Sequence, residues 1–301
     1  MIHYLDRSEL AFAIDPHAPS RLTLAAPCEV MVETHDARSG KLKRPEDEPL
    51  SAPVFTDRFP RTNPATGPIR IEGAEPGDTL IVDVLRIDLD QQGFVMVKPD
   101  SGLVTGLVNR TETHIVTIED GVARFGALLL PIRPMIGVMA TAPAEAIATA
   151  YIGPHGGNMD NNRLATGTRI HLPVRVPGAQ FYVGDIHATM GDGEISGSGV
   201  EIGGRVHLRF TLEKSTAPDW PWMETDRLLI TTASADRFED AARIATREMM
   251  ALLQSRLGVT PSEAFALLSI AGDLKVNQLC LSTIGASARM EFPKPNAAFT
   301  T

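Results

Sequence analysis

Hydrophobic and polar residues alternate along much of the chain with the period of two that is typical of β-strands. Three segments show this alternation most clearly: Thr79–Ile87, Thr168–Val176 and Arg205–Leu212. Strands of this kind have one face against a core and one wetter face, as in antiparallel sandwiches and barrels. The 25 glycines and 22 prolines are typical of many short strands separated by turns.

Two segments near the end of the chain change to a helical period. Hydrophobic residues recur at helical spacing over Asp236–Leu257, and Gly258 is a typical helix stop. Thr260–Glu263 is a capping box with proline in the first helical turn, which predicts a second helix over Ser262–Ala271. A last strand is expected around Lys275–Ser282. The predicted fold class is α+β and mainly β, with antiparallel sheets forming a sandwich-like or barrel-like body and a late helical pair.

No strong break in composition divides the chain. The expected organisation is a single domain over residues 1–301, with β-rich subdomains at 1–150 and 151–301 as the alternative. The charged, proline-rich segment Lys41–Pro60 is predicted to be a long exposed loop within the fold, and a linker is the second interpretation. Pro293–Thr301 is predicted to be a loose tail.

Charge and cysteine content narrow the classes of function. Lys and Arg number 28 against 37 Asp and Glu, a formal charge of −9, and an acidic surface repels nucleic acid. Cys28 and Cys280 form no CxxC motif, and Met1–Arg7 does not resemble a signal peptide. No apolar run approaches the ~20 residues of a membrane span. We therefore expect a cytoplasmic protein without nucleic-acid or membrane partners.

The densest group of potential metal ligands is GDIHATMGDGE at residues 184–194. Side chains at positions i and i+2 of an extended segment point the same way, so Asp185 and His187 can hold one ion from one side. Asp192 and Glu194 form a second pair after a glycine turn. Imidazole with carboxylates suits zinc or a similar divalent ion. The alternative is a polar turn whose carboxylates accept hydrogen bonds from neighbouring backbone amides. Four chelating groups so close together favour a metal site.

A second stretch, GPHGGNMD, combines three glycines with His155, Asn158 and Asp160. Glycine lets the backbone approach a ligand closely and exposes amide donors. The lysine and the helix start of a phosphate-binding loop are missing. A ligand-binding loop and a simple glycine-rich turn are both compatible with this composition.

Two further carboxylates are candidates for the same ion. Asp36 follows Glu33 and His35 in a predicted strand-end loop, where these groups could bind metal, form a salt bridge or face solvent. Glu201 lies in SGSGVEIGG, shortly after the 184–194 stretch, and could return to the metal. Within the stretch Glu33–Asp36, Asp36 is favoured over His35 as a metal ligand.

Covalent catalysis through serine or cysteine is disfavoured. The chain has no GxSxG elbow, and the Ser-Gly-Ser-Gly at 196–199 lacks a strand–turn–helix context. Neither Cys28 nor Cys280 has the polar, electropositive neighbours that activate a thiolate. Water activated by a divalent ion is therefore the preferred nucleophile.

At these residues the chain resembles the acetamidase/formamidase family, in its shorter branch. Order and spacing hold from about residue 30 to 210, and the helical tail fits, which makes the match specific to the family. The matching blocks are NPATGP at 63–68, IEGAEPGD at 71–78, PHGGNMD at 154–160, LPV at 172–174, PGA at 177–179, and GDIHA at 184–188 running into GDGE at 191–194.

The resemblance implies a β-rich fold, a divalent metal that is most often zinc, and homo-oligomers of two or more subunits. It also implies hydrolysis of acetamide, formamide or a related small amide to a carboxylate and ammonia. A second, structural ion such as calcium is suggested by the surplus of acidic residues.

From the motifs and the resemblance together we assign expected roles to the candidate residues. Glu194 is expected to be the general base with Asp192 as its reserve, and His155 to orient the substrate or supply a proton. Backbone amides around Gly156, Gly157 and Asn158 are expected to meet the oxyanion. The expected metal ligands are Asp36, Asp185, His187 and, close by, Asp160.

Two other functions fit the same residues. The first is a metal-dependent hydrolase of another C–N bond, in a cyclic amide or ureide, because the same site chemistry serves that reaction. The second is a non-enzymatic protein in which the metal stabilises loops that bind a small ligand. The sequence alone does not select the acyl group, the metal or the oligomer size.

Overall fold

The computed structural model of the protein describes residues 2–47, 55–56, 59–60, 62–280 and 285–294. Two helices are present in this part of the chain, α1 (Phe238–Leu257) and α2 (Pro261–Ala271). The strands are β1 (Ile2–Leu5), β2 (Ala13–Ile14), β3 (Leu22–Leu24), β4 (Cys28–Thr34), β5 (Phe55–Thr56), β6 (Phe59–Pro60), β7 (Ala65–Ile71), β8 (Thr79–Val97), β9 (Glu112–Glu119), β10 (Val122–Phe125), β11 (Leu128–Pro131), β12 (Met135–Thr141), β13 (Ile147–Ala148), β14 (Ile152–Gly153), β15 (Gly156–Asn158), β16 (Arg169–Pro173), β17 (Phe181–His187), β18 (Glu201–Glu213), β19 (Trp222–Glu224), β20 (Leu228–Ala235), β21 (Asp273–Gln278) and β22 (Ala286–Pro293).

Eighteen of these strands form one branched sheet, and the predicted mainly antiparallel β class is confirmed. Within the described chain only the β1–β4 and β3–β7 ladders are parallel. The strand β17 pairs with β12, β7 and β18, and β18 pairs in turn with β4 and β8. Strands from both halves of the chain therefore interleave in one sheet. The division into one domain or two subdomains stays a prediction.

The alternating segments build the main core. Leu80, Val82 and Val84 of β8 are buried together with every second residue of β16 and β18. Within this core, Phe181 and Phe210 pack edge to face with ring centroids 4.9 Å apart. Burial of side chains of this size contributes roughly 1.5–3 kcal/mol each. This periodicity is what the sequence predicted, although β8 runs on to Val97 because its polar second half pairs with β18 and β9.

The late helical pair is confirmed. The αL conformation of Gly258 ends α1, and the reciprocal hydrogen bonds between Thr260 and Glu263 start α2. The helix α1 packs on β20 and β22. The strand β22 was not predicted, because it is buried almost throughout and its sequence does not alternate. Neither helix of the described chain is long and apolar enough to cross a membrane.

Nine of the 20 residues of the predicted loop Lys41–Pro60, at 48–54, 57 and 58, lie outside the described residues. Its described part contains two short strands, β5 and β6, which pair with each other. The predicted tail Pro293–Thr301 also lies outside the described residues except for its first two positions, of which Pro293 ends β22. Both stay predictions at the positions that the structure does not describe.

Replacement of Glu224 by glutamine is expected to lower the melting temperature at pH 7 by a few degrees. Glu224 accepts a hydrogen bond from His171 at 3.3 Å and pairs with Lys294 at 2.6 Å. The His171 bond, with help from Lys294, lowers the pKa of Glu224 from 4.5 to about 2. The ionised group therefore stabilises the fold fully above pH 4.5, and this contribution is lost as the pH falls through about 2. Melting curves of wild type and Glu224→Gln should converge near pH 2; a difference that is constant with pH would contradict the assignment.

Candidate active site

The strand β17 lies in the middle of the sheet and is buried along its whole length. Asp185 and His187 are two residues apart on this strand, and both side chains face the same side. The neighbouring strand β12 pairs Met135 with His187 and leaves Gly137 beside Asp185. The site is therefore built on a fully enclosed strand of the sheet, where water is largely excluded.

Five potential metal ligands converge at this place in two overlapping groups. One group is Asp160, Asp185 and His187; the other is His187, Glu194 and Glu201. In each group the ligand atoms lie within 4.8 Å of one another, and every member is buried. His187 belongs to both groups and stands at the centre of the cluster.

Two carboxylate oxygens of the cluster are buried and have no hydrogen-bond partner among the described residues: Oδ1 of Asp160 and Oδ1 of Asp185. Both atoms lie close to the imidazole of His187, although Glu201 Oε2 is nearer to it at 3.0 Å. Asp160 Oδ1 is 4.0 Å from His187 Nδ1, and Asp185 Oδ1 is 3.9 Å from His187 Nε2. Buried carboxylate oxygens are normally paired, so the arrangement of these two around one histidine forms a place that could hold a cation.

The remaining carboxylate oxygens are held in place by donors. Gln278 Nε2 donates to Asp160 Oδ2 at 2.7 Å and to Glu194 Oε2 at 2.8 Å. The Gly199 amide donates to Glu194 Oε1 at 3.1 Å, and His187 Nε2 lies 3.0 Å from Glu201 Oε2. These contacts leave each acid little rotational freedom, which suits a preorganised site.

Asn63 Nδ2 holds the other oxygen of Asp185, Oδ2, at 2.7 Å. Ser198 Oγ donates to Glu201 Oε1 at 3.3 Å. Each of the four carboxylates therefore has at least one oxygen fixed by a neutral donor or by His187, and only Asp160 and Asp185 keep a buried oxygen without such a partner in the described structure.

Three acids of the cluster have backbones in the left-handed region. The φ angles are 40° at Asp160, 56° at Asp185 and 44° at Glu194. Positive φ is uncommon for residues other than glycine and costs energy, which the surrounding packing must offset. Concentration of three such residues in one cluster indicates that the acids are positioned for function rather than for local stability.

The cluster places four buried carboxyl groups around a single histidine, so its acidic groups outnumber its basic ones. Burial, reinforced by neighbouring carboxylates, raises the pKa of Asp160 well above its ordinary value. Burial also raises the pKa of the other three acids, Asp185, Glu194 and Glu201. Burial alone would lower the pKa of His187, but Glu201 and the other acids raise it well above its usual range. A bound cation would relieve this mutual repulsion.

Replacement of Gly137 by alanine is expected to lower the stability of the protein by about 1–3 kcal/mol and to weaken ion binding. A Cβ at Gly137 would lie 2.6 Å from Asp160 Oδ1 and 2.8 Å from Asp185 Oδ2. The matched control is Gly191→Ala, because a Cβ there meets no described atom within 4 Å, and neither glycine has a left-handed backbone. Chemical denaturation and elemental analysis measure both effects. Equal behaviour of the two variants would show that the site tolerates the extra methyl group.

The structure brings together four residues that the sequence singled out: Asp160, Asp185, His187 and Glu194. It adds Glu201, which was a weaker candidate. The i, i+2 spacing accounts for the Asp185–His187 pair. Asp160 comes from the loop after β15, whose Met159 and Asp160 amides donate to the Gly137 carbonyl.

Asp36 and Asp192 lie outside both ligand groups. Asp36 Oδ1 accepts the amides of Arg38 and Gly40, each at 2.9 Å, so this carboxylate shapes its own loop. Asp192 receives two hydrogen bonds of 2.9 Å from Arg289, and its side chain is 38% exposed. The sequence placed both in the metal and proton chemistry because their spacing could not reveal these partners.

The glycine-rich stretch has a different place from the one that the sequence suggested. Gly156 and Gly157 belong to β15, which is hydrogen-bonded between β12 and β14. A Cβ at Gly156 would lie 2.3 Å from the Met139 carbonyl oxygen, so this glycine is required for close strand packing. The stretch thus forms a paired, buried strand, and the expected role of its amides at the oxyanion stays a prediction.

His155 and Asn158 are buried at the two ends of this strand, outside both ligand groups. Burial, with the Arg175 charge, lowers the pKa of His155 to about 4. His155 Nε2 and Asn158 Oδ1 have no hydrogen-bond partner in the described part of the protein. Their roles in orienting or binding the substrate stay predictions.

Several residues of the site escaped the sequence analysis. Gln278 lies in β21 and Gly137 in β12, and neither belongs to a motif. Arg38 and Lys98 are half-buried cations whose pKa values respond to the Glu201 charge. Only Asn63 carried a signal, because it begins the NPATGP block.

Comparison with known proteins agrees with this architecture. The model of the Acetamidase/Formamidase family matches residues 13–153 and 149–280. The crystal structure of an acetamidase from Bacillus halodurans is similar with a TM-score of 0.89 and 36% sequence identity, covering 96% of this chain and 97% of that one. A recombinant predicted acetamidase/formamidase from Thermoanaerobacter tengcongensis has a TM-score of 0.89 and 32% identity, covering 97% and 96%.

Among curated proteins, a formamidase from Methylophilus methylotrophus is 27% identical over 210 residues, which are 50% of this chain and 51% of that protein. The chain spans between about half and three fifths of the length of the curated relatives that it matches. The likeness to solved structures therefore extends over nearly the whole chain, whereas the likeness to the curated relatives is partial.

Proposed function

The chain belongs to the acetamidase/formamidase family, and from this premise we propose that it hydrolyses a small linear carboxamide to a carboxylate and ammonia. The observation that carries the proposal is the pair of buried, unpartnered oxygens of Asp160 and Asp185 around His187. Acids, a histidine and an enclosed site supply the elements of metal-assisted hydrolysis.

A divalent ion fits the residues at this place. Asp160, Asp185 and His187 would hold it, since they offer two oxygens and one nitrogen from buried, preoriented side chains. This donor set suits zinc, which we propose first, and also other divalent transition metals. When bound, such an ion polarises the substrate carbonyl and acidifies water.

Glu194 is the proposed general base. Its carboxylate is buried beside the ligand group, and burial raises its pKa above the ordinary value, which makes it a stronger base towards water. Glu194 takes a proton from water as the water oxygen bonds to the carbonyl carbon. The C–N bond then breaks, the proton passes to the leaving nitrogen, and a carboxylic acid and ammonia result; the acid then ionises.

Neighbouring side chains position these groups. Glu201 accepts from His187 and fixes the orientation of the ring, which leaves Nδ1 on the side of Asp160. Gln278 binds one oxygen of Asp160 and one of Glu194, so it sets the distance between the ligand group and the base. Asn63 holds Asp185 in the same way.

The remaining expectations belong to the same proposal. Homo-oligomers of two or more subunits, a second structural ion such as calcium and a cytoplasmic location are proposed from the family resemblance and from the residue content. The absence of a disulfide between Cys28 and Cys280 is compatible with a reducing compartment. Asp36 is proposed to shape the loop that carries Arg38.

Ammonia release by the zinc-loaded protein tests the activity. Formamide, acetamide, propionamide, a cyclic amide and a ureide would be compared at equal concentrations. Turnover confined to the linear amides is the expected result. Turnover of the cyclic compounds alone would replace the proposal by another C–N hydrolase. Strong thermal stabilisation by metal without turnover of any compound would favour a binding protein.

A further inference from the structure

Arg38 is a half-buried cation that makes no side-chain hydrogen bond or ion pair to the residues that the structure describes. Its Nε is shielded from solvent without a hydrogen bond, and its guanidinium forms no ion pair within the described residues. Arginine keeps its proton in proteins, so Arg38 is a positive charge whose Nε donor is unused among the described residues. By contrast, the fully buried Arg289 donates to Asp192, Glu291 and Asn277.

The loop of Arg38 is attached to the active site by short hydrogen bonds. Asp36 Oδ1 accepts the amides of Arg38 and Gly40 at 2.9 Å each, which fixes the turn. The next link is the Ala37 carbonyl, which accepts the Asn63 amide at 3.1 Å. Asn63 Nδ2 in turn donates to Asp185 Oδ2 at 2.7 Å. Arg38 therefore directly follows Ala37, and Asn63 connects the carbonyl of Ala37 to Asp185 of the ligand cluster.

Lys98 is a second cation, two residues after a strand residue that is linked to Glu201 through Ser198. It follows β8, whose Met96 amide donates to Ser198 Oγ at 3.2 Å, and Ser198 Oγ donates to Glu201 Oε1 at 3.3 Å. Lys98 is half-buried and, in the chain as described, makes no ion pair or hydrogen bond. Burial lowers the pKa of Lys98, and the Arg38 charge lowers it further while Glu201 raises it. The two cations thus share one electrostatic environment with Glu201.

Amide hydrolysis is helped by positive charge or hydrogen-bond donors near the acyl oxygen of the substrate. Negative charge develops on the acyl oxygen during attack by water, and the product is a carboxylate. A guanidinium presents parallel donors that match the two oxygens of a carboxylate. Gly156 and Gly157 lie in a strand that is paired with β12 and β14. Arg38 combines an Nε donor that has no partner among the described residues with a fixed loop that is hydrogen-bonded towards Asp185.

Resting on the proposed amide hydrolysis, we propose that Arg38, assisted by Lys98, binds the acyl oxygen of the amide as negative charge develops and then holds the carboxylate product. Arg38 stays protonated throughout and transfers no proton. Its donors stabilise charge on the acyl oxygen, while Glu194 moves the proton. This subsite favours a small acyl group that brings its oxygen within reach of the loop 36–40.

Binding of radiolabelled acetate to the ion-loaded protein tests the subsite without requiring turnover. Equilibrium dialysis would compare wild type, Arg38→Gln and Arg38→Lys. We expect Arg38→Gln to bind acetate at least about tenfold more weakly with unchanged ion content, and Arg38→Lys to retain part of the affinity. The matched control is Arg7→Gln, because Arg7 is already paired with Asp90 at 2.7 Å. The acetate affinity of this variant should stay within about twofold of wild type.

Kinetics give an independent readout. On acetamide, kcat of Arg38→Gln should fall by about 10²–10³ with a much smaller change in KM, as for loss of an oxyanion donor. Added guanidinium ion should restore part of the rate of Arg38→Ala, which a purely structural defect would not allow. Lys98→Met should show the same pattern with a smaller loss.

The outcomes separate this inference from the proposed function. Unchanged acetate affinity and kcat in Arg38→Gln would overturn it, even if the wild type hydrolyses amides. Loss of the bound ion in Arg38→Gln would also overturn it, because Arg38 would then only balance the charge of the acids. Arg38-dependent acetate binding in a protein that releases no ammonia would support the subsite while the proposed activity fails. If Arg38→Gln does not fold, the acetate affinity of Arg38→Lys and the guanidinium rescue of Arg38→Ala test the subsite instead.

Discussion

Glu194→Gln is expected to reduce turnover of the best amide substrate by about 10²–10⁴ while the bound metal is retained. Glutamine keeps the shape of the side chain but cannot take a proton from water. Glu194 is not among Asp160, Asp185 and His187, so the proposed ligand group stays complete. Steady-state ammonia release, together with elemental analysis of the same preparation, measures both parts of the prediction.

A local structural cost accompanies this substitution. Both oxygens of Glu194 accept hydrogen bonds, from Gly199 and from Gln278, and an amide nitrogen in place of one oxygen would face a donor. We expect a loss of about 1–3 kcal/mol of stability. The melting temperature must therefore be recorded, so that a fall in rate is compared with the folded fraction.

Asp192→Asn is the informative companion variant. Sequence spacing alone makes Asp192 and Glu194 equivalent candidates for the base, but Asp192 is engaged by Arg289 and partly exposed. Its replacement should affect stability more than kcat. A near-normal rate in Glu194→Gln together with a large loss in Asp192→Asn would transfer the role of base to Asp192.

Removal of the metal by a chelator is expected to abolish turnover and to lower the melting temperature by several degrees or more. Binding of an ion to the folded state alone adds about 4 kcal/mol when its concentration is a thousand times the dissociation constant. The apoprotein in addition leaves four buried carboxylates close to one another: Asp160, Asp185, Glu194 and Glu201. Zinc added back should restore both rate and stability.

The effect of metal removal should depend on pH in a defined direction. In the metal-free fold, burial raises the pKa of each of these acids above its ordinary value. A group with a raised pKa in the folded state stabilises the fold below its unfolded pKa, and this contribution is lost as the pH rises through the folded pKa. His187, whose pKa is also raised, acts in the same direction.

Apoprotein should therefore lose stability as the pH rises from the ordinary carboxyl range towards neutrality, while the metal-loaded protein changes less. The difference between their melting temperatures should widen over that range. Scanning calorimetry of both forms at several pH values is the measurement. A difference that narrows with rising pH would mean that the acids are already compensated in the apoprotein.

The sequence by itself determined the features that depend on near neighbours. Alternation identified the strands around Leu80, Ile170 and Leu208 because a strand shows every second residue to the core. The Thr260–Glu263 box identified the start of α2 because its hydrogen bonds close within one turn. The i, i+2 rule placed Asp185 and His187 on one face for the same local reason.

Only the tertiary structure decided which acids complete the site and which cations face it. Gln278 lies 118 residues from the Asp160 that it binds, and Asn63 lies 122 residues from Asp185. Contacts at such separations depend on how β12, β17, β18 and β21 meet, and no local pattern encodes that meeting. Asp36 and Asp192 were candidates beside Glu194, the favoured base, because the sequence around a carboxylate does not identify its partner. In the folded protein Asp36 binds the amides of its own loop, Asp192 pairs with Arg289, and Glu194 lies in the ligand cluster.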